Sequence, residues 1–300
     1  MRLAILADIH GNLPALEAVL ADAEQQGVDG IVMAGDLTFG PQAAEALDRL
    51  HGLGAWMIHG NNDAQVLALA SLAPSHPWRV NRQFAVLRWQ HAHLTQETLA
   101  SMASLPEERV LALPDADPIR VVHGAPGGPA LPLVPDRDAV ALSHMRAYGL
   151  RAADAPPPLN HLLAGVEERV LICGHTHVPW QQQWDGHLAL NPGSAGASLT
   201  ADPRARYALL TWHAGRWQVE QRAVPYDLGL LEAAFEKSGL LAEGGAFARA
   251  CLLWYETGHC VTCRLLDHAY RLAAAAGLAD CEAVPDDIWE QAVATFDWPA

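Results

Sequence analysis

The chain has 300 residues, half of them apolar, enough for a large domain with a full core. That excludes a disordered chain and a small disulfide-stapled scaffold. A formal charge of −15 repels phosphate backbones and disfavours a non-specific nucleic-acid binder, unless metal ions invert the field locally.

The opening apolar run, Leu3–Ala7, is too short for a secretory core and reads as a strand. The spacing predicts further strands at Gly30–Ala34 and Ala55–His59, with helices at Pro14–Gln26 and Gln42–His51 between them. Ala55-Trp56-Met57-Ile58 is apolar throughout, as suits a strand covered on both faces. Helices are predicted at Ala64–Ser71 and Gln96–Ser104, then strands at Val110–Leu113 and Arg120–His123. A helix at Asp138–Tyr148, a proline-rich loop at Ala155–Pro158 and a strand at Val170–Cys173 follow. Strands alternating with helices argue an α/β domain. Beyond Gly174 the texture changes to hairpins: Gln181–Trp184 with Leu188–Leu190, and Tyr207–Trp212 with Trp217–Val224, turning at Asp185-Gly186 and Ala214-Gly215. Two sheets packed together with helices outside would accommodate both textures. From about Asp227 the pattern is helical, at Leu230–Lys237, Gly245–Glu256, Val261–Ala276 and Asp287–Thr295. The Gly239–Gly245 segment is the expected boundary between a domain at 1–239 and an extension at 240–300. No run of about 18 apolar residues exists, so no membrane span is expected. Five cysteines that cannot all pair, with no signal peptide, point to a reducing cytoplasm.

Five short motifs stand at the ends of predicted strands: Asp8-Ile9-His10, Gly35-Asp36, Gly60-Asn61-Asn62-Asp63, His123-Gly124 and Gly174-His175-Thr176-His177. Strand C-termini in α/β sheets open onto a crevice where ligands bind. Asp8, His10, Asp36, Asn61, His123, His175 and His177 offer carboxylate, amide and imidazole donors. Seven donors are too many for one tetrahedral ion and suit two ions sharing a carboxylate. Mixed N/O ligation favours Mn, Fe, Zn, Co or Ni over Mg. Taken singly, each motif is ordinary: a turn Gly-Asp, a core histidine. The ordered set is not.

These motifs, with Asp8-Ile9-His10-Gly11-Asn12-Leu13-Pro14, Gly35-Asp36-Leu37-Thr38-Phe39-Gly40, Asn191-Pro192-Gly193-Ser194 and Val224-Pro225-Tyr226-Asp227, resemble the calcineurin-like metallophosphoesterase superfamily, nearest its bacterial phosphodiesterase-like branch. The resemblance covers about Met1–Gly239. It implies an α/β fold, a four-layer αββα sandwich of two mixed sheets, here with a C-terminal helical extension. It also implies two divalent ions, manganese foremost. Asp8, His10, Asp36 and His177 would hold one, and Asp36, Asn61, His123 and His175 the other, Asp36 bridging. The activity implied is hydrolysis of a phosphate ester, a diester before a monoester, by water activated between the ions. Asp36, Asn61, Asn62 and His123 are the expected catalytic residues, and Asn12 and Asn62 the expected substrate contacts. Asn12 also fits a helix cap before Pro14.

The sequence departs from the family at one position. Many members carry histidine after the ligand asparagine, where it assists the leaving group; this chain has Asn62. An amide can donate a hydrogen bond but cannot act as an acid near neutral pH. His59, His91 and His93 are alternative donors on sequence grounds. In the extension, Cys251, Cys260-x-x-Cys263 and Cys281 read as core packing first, then as a zinc or redox site. The tail's tryptophans suggest that it packs on the domain or on a second subunit, and a tail over the crevice would restrict substrate size. Alternative readings are a phosphomonoesterase, a serine/threonine protein phosphatase, and a binding scaffold with a decayed centre, which the intact donor set argues against. A phosphate ester is the expected partner, and a homo-oligomer is open.

Overall fold

Strand β1 (Arg2–Leu6) shows how the layers arise. Successive side chains on a strand point to opposite faces, and here both faces are buried. In the computed structural model, which describes residues 1–135 and 159–299, Leu3, Ile5 and Ala7 meet Ile119, Val121, Val170 and Ile172 of a second sheet. Ala4 and Leu6 face the other way, under helices α1 (Leu13–Gln25) and α2 (Ala43–Gly52), against Leu16, Val19 and Leu47. A strand with helices on one face and a sheet on the other is an inner layer of an αββα sandwich.

The first sheet joins β1 to β2 (Gly30–Ala34) and β3 (Trp56–Ile58) in parallel, and to β9 (Ala205–His213) and β10 (Arg216–Val224) antiparallel, in the order β10-β9-β1-β2-β3. The second comprises β4 (Glu108–Leu111), β5 (Ile119–Val122), β6 (Val170–Ile172), β7 (Pro179–Trp184) and β8 (His187–Pro192), in the order β4-β5-β6-β8-β7. Its three central strands are parallel and both edges antiparallel. Its outer face packs Leu171, Cys173 and Ala189 under helix α7 (Leu159–Leu163). Both sheets are mixed and helices lie outside them, as the sequence predicts. The expected helix at Asp138–Tyr148 and loop at Ala155–Pro158 lie outside the described residues.

Helix α3 (Asn61–Ala68) starts three residues before the predicted Ala64. Its first turn is polar because it belongs to the site described below. Helices α4 (Pro77–Val80) and α5 (Ala85–His93) were not predicted; α6 (Gln96–Ala103) was. The periodicity of α5 is masked because a buried glutamine, Gln90, occupies a core position beside Val86, Leu87 and Trp89.

The C-terminal helices are α8 (Leu228–Lys237), α9 (Leu240–Thr257), α10 (Val261–Ala275) and α11 (Asp286–Thr295). Helix α9 begins five residues before the predicted Gly245, which sits inside it in a non-helical conformation. The extension shares a core with the rest: Leu240, Ala248, Cys251, Trp254 and Tyr255 pack with Val86, Trp89, Ala197 and Leu199. Cys260 and Cys263 are joined by a disulfide, while Cys173, Cys251 and Cys281 are free. No group of potential metal ligands among the described residues includes a cysteine. No helix among the described residues is long and apolar enough to cross a membrane.

Candidate metal centre

All seven predicted donors follow the C-terminal ends of β1, β2, β3, β5 and β6. Five of them, Asp8, His10, Asp36, His175 and His177, have positive φ, between 49° and 68°. That region costs a non-glycine residue roughly 1–3 kcal/mol where it is strained, and it persists only when the surroundings fix it. Here the chain turns so that each carboxylate or imidazole points inward. Gly35 (φ 88°) permits a close approach: a Cβ there would lie 2.6 Å from His123 Nδ1.

Backbone carbonyls set the imidazole tautomers. Nδ1 lies 2.8 Å from Thr38 O in His10, 2.7 Å from Ala34 O in His123 and 2.7 Å from Ala197 O in His177. A carbonyl can only accept, so each Nδ1 carries a proton and each ring turns its Nε2 inward. His10 Nε2 and His177 Nε2 face each other at 3.2 Å. His177 Nε2 lies 3.4 Å from Asp8 Oδ1, and His123 Nε2 lies 3.3 Å from Asp36 Oδ2 and 3.1 Å from Asn61 Oδ1. His175 Nδ1 is 2.8 Å from Asn61 Oδ1. Potential ligand atoms converge in two groups, Asp8–His10–His177 and Asp8–Asp36–His123. Asp36 also reaches toward the first group, 3.8 Å from His10 Nε2, so both carboxylates stand between the two sets of rings.

The electrostatics agree. Asp8 and Asp36 are fully buried side by side. Burial pushes the Asp8 carboxyl well above its usual range; at Asp36 burial acts the same way, but His123 and His10 outweigh it and hold the group low. Burial lowers His10 and His177 and brings His175 down to about 4. His123 also feels burial, yet Asp36 and Asp8 raise it to about 10. The Nε2 lone pairs of His10 and His177, facing each other beside buried carboxylates, form a donor set that divalent cations fit.

Several supporting residues were given no individual role by the sequence, though Asp63, Asn191 and Ser194 stand in its motifs. Asp63 is buried and accepts from the backbone N–H groups of Asp36, Leu37 and Thr38 and of Gly60, each at 3.0 Å, and from Thr38 Oγ1 at 2.9 Å. It pins the Asp36 loop. Gln90 Oε1 accepts from Phe39 N and Gly40 N further along that loop. Asn191 Nδ2 donates to Gly174 O and Thr176 Oγ1, and Ser194 Oγ donates to Asp8 O. From the extension, the Trp254 ring stacks on His177 at 5.0 Å, and Tyr255 Oη donates to His10 O and Phe39 O.

Two expected substrate contacts look different in the structure. Asn12 is fully buried: Oδ1 caps α1 at Ala15 N, and Nδ2 donates to Gly196 O and Tyr226 Oη. It is the cap of α1, the other role its position offered in the sequence. Asn62 does line the crevice, but its Nδ2 donates to Asp36 Oδ2 at 2.6 Å and its backbone N–H to Asp36 Oδ1 at 2.9 Å. On α5, His91 is tied to Val66 O of α3 and His93 to Trp89 O, and His59 stands beside Gly60 O; none of the three lines the crevice.

A family model described as the calcineurin-like phosphoesterase superfamily domain matches residues 1–215. The phosphodiesterase YfcE of Escherichia coli strain K12 is 31% identical over 211 residues, covering 70% of this chain and 87% of that protein. An uncharacterised protein of Methanocaldococcus jannaschii is 25% identical over 256 residues, 78% of this chain and 90% of its own length. The crystal structure of a metallophosphoesterase from Sphaerobacter thermophilus superposes with a TM-score of 0.64 at 25% identity, covering 85% of this chain and 99% of that one.

Proposed function

The chain belongs to the calcineurin-like phosphoesterase superfamily and is a metal-dependent phosphoesterase; from that premise we propose that its substrate is a phosphodiester and that its centre is binuclear. Asp8, His10 and His177 would hold one ion and Asn61, His123 and His175 the other, with Asp36 shared. The observation that carries this reading is the convergence of imidazole Nε2 atoms on two buried carboxylates. Divalent ions held there would offset the ester's anionic oxygens and bring the pKa of water toward neutrality.

The chain's own residues do the rest. Backbone carbonyls behind His10, His123 and His177 hold the rings in the ligating tautomer. Asn62 fixes the Asp36 carboxylate from two directions, and the N-terminus of α3 favours the negative charge there. With its amide spent on Asp36, Asn62 offers no acid to a departing alkoxide. Esters whose leaving groups need no protonation, such as aryl esters, are therefore favoured. The diester reading has the support of the named phosphodiesterase relative and of Asn62 itself.

The test is hydrolysis of bis-p-nitrophenyl phosphate by protein stripped with chelator and reloaded with manganese. We expect turnover to return with metal and to saturate at two ions per chain. Saturation at one ion would overturn the binuclear assignment. Turnover of p-nitrophenyl phosphate but not of the diester would make the protein a monoesterase.

A further inference from the structure

The donor cluster forms one wall of a cavity of about 220 Å³, through Asp36, Asn61, Asn62, His175 and His177. Of the remainder, Phe39, Phe84, Leu87, Phe247 and Leu266 are apolar, and Gln65 and Gln83 are polar but uncharged. Phe247 on α9 and Leu266 on α10 belong to the extension, beyond the residues that the family model matches. Among the described residues that line the cavity there is no lysine or arginine.

We infer that this wall is a subsite for the non-phosphoryl part of the substrate: the ester carries one phosphoryl group and a compact, uncharged, apolar or aromatic substituent. The inference rests on the phosphoesterase reading and adds to it. Size is the first argument, because the cavity falls below the about 300–1,000 Å³ usual for drug-sized ligands. It has room for a phosphoryl group and little more than one ring. Charge is the second. A second phosphate seated against Phe247 and Leu266 would lose its water with no cation facing it among the described residues, whereas a ring there gains buried area and aromatic contact. Origin is the third: the wall comes partly from helices outside the matched domain, so it is a feature added to a shared catalytic frame. Polynucleotides and polyphosphates fit none of these features.

Two ligands with the same anionic head separate the subsite from the metal centre. Binding of phenylphosphonate and of methylphosphonate to the metal-loaded full chain is measured by calorimetry. The phenyl compound is expected to bind about tenfold more tightly. Phe247→Ala and Leu266→Ala should each reduce that advantage to below about threefold, leaving methylphosphonate within about twofold of wild type; Phe247→Leu should keep most of it. Equal binding of the two ligands by the wild-type protein overturns the proposal, and that comparison decides even where a truncating variant fails to fold. Parallel loss of both ligands in folded variants overturns it as well. The p-nitrophenyl esters of the same two phosphonates then separate the two readings. A phenyl preference in binding with no metal-dependent turnover of either ester sustains the subsite and removes the phosphoesterase reading. Turnover with no phenyl preference removes the subsite alone.

Discussion

At the scale of single residues, Asn62 and Asp63 sit next to each other and do different work. Asn62 orients Asp36 and, on the function proposed above, would donate no proton to substrate. Asn62→His is expected to raise the rate on alkyl esters relative to aryl esters, about tenfold or more if general acid catalysis is restored. The kcat/KM ratio for a matched alkyl and aryl pair reads this directly, and an unchanged ratio would mean that the leaving-group proton comes from elsewhere. Asp63 gathers four backbone N–H groups and one hydroxyl. In Asp63→Asn an amide NH₂ would be turned on donors, so manganese affinity should fall about 10–100-fold by calorimetric titration. Affinity equal to wild type would reduce Asp63 to a packing residue. The motif Gly60-Asn61-Asn62-Asp63 was readable as a ligand segment, but the division of labour within it was not. Which of three polar neighbours faces a metal and which faces a backbone depends on a helix start at Asn61 that residue types do not mark. The same limit applied to Asn12, whose substrate and capping readings are chemically equal until burial is known.

At the scale of elements, apolar runs made the strands easy to read, because both faces of the inner layers are buried and the runs are nearly continuous. Helix α5 escaped because a buried glutamine holding the Phe39 loop broke its apolar stripe. Contacts between distant elements were invisible for a simpler reason: nothing local encodes them. Asp22 on α1 accepts from Tyr207 Oη of β9 and from Arg222 Nε of β10, at 2.5 and 2.8 Å, fastening a helix to the sheet edge. The hydrogen bond from Arg222 holds the Asp22 carboxyl below its ordinary value of 3.8. A carboxyl lowered by folding stabilises fully above its unfolded pKa and loses that contribution as pH falls through the folded one. Asp22→Asn should therefore cost about 1–3 kcal/mol at pH 7. Urea titrations should show that gap narrowing toward pH 3. A gap of equal size at both pH values would assign the effect to packing.

At the scale of the whole molecule, the sequence set a boundary between a domain at 1–239 and an extension at 240–300 that packs on the domain or on a second subunit. The packing argues for more interdependence than that. Leu240, Ala248 and Tyr255 are almost fully buried against the first part, and Trp254 backs a metal-site histidine. Deleting 240–300 should bare this face and yield aggregating protein in place of an enzyme with a broader substrate range. Calorimetry of the full chain should show one cooperative transition; two resolved transitions would restore the separable tail. The five donors with positive φ carry a consequence of another kind. On the binuclear reading proposed above, a backbone bent against its own preferences would be steadied by the ions it gathers, an ion at a hundred times its dissociation constant adding about 2.7 kcal/mol to the folded state at each site. Supply of metal to the cell would then govern the lifetime of this protein as well as its rate. A chain made during scarcity would meet the proteases as a looser substrate, and its abundance would keep a record of the ion supply at its synthesis.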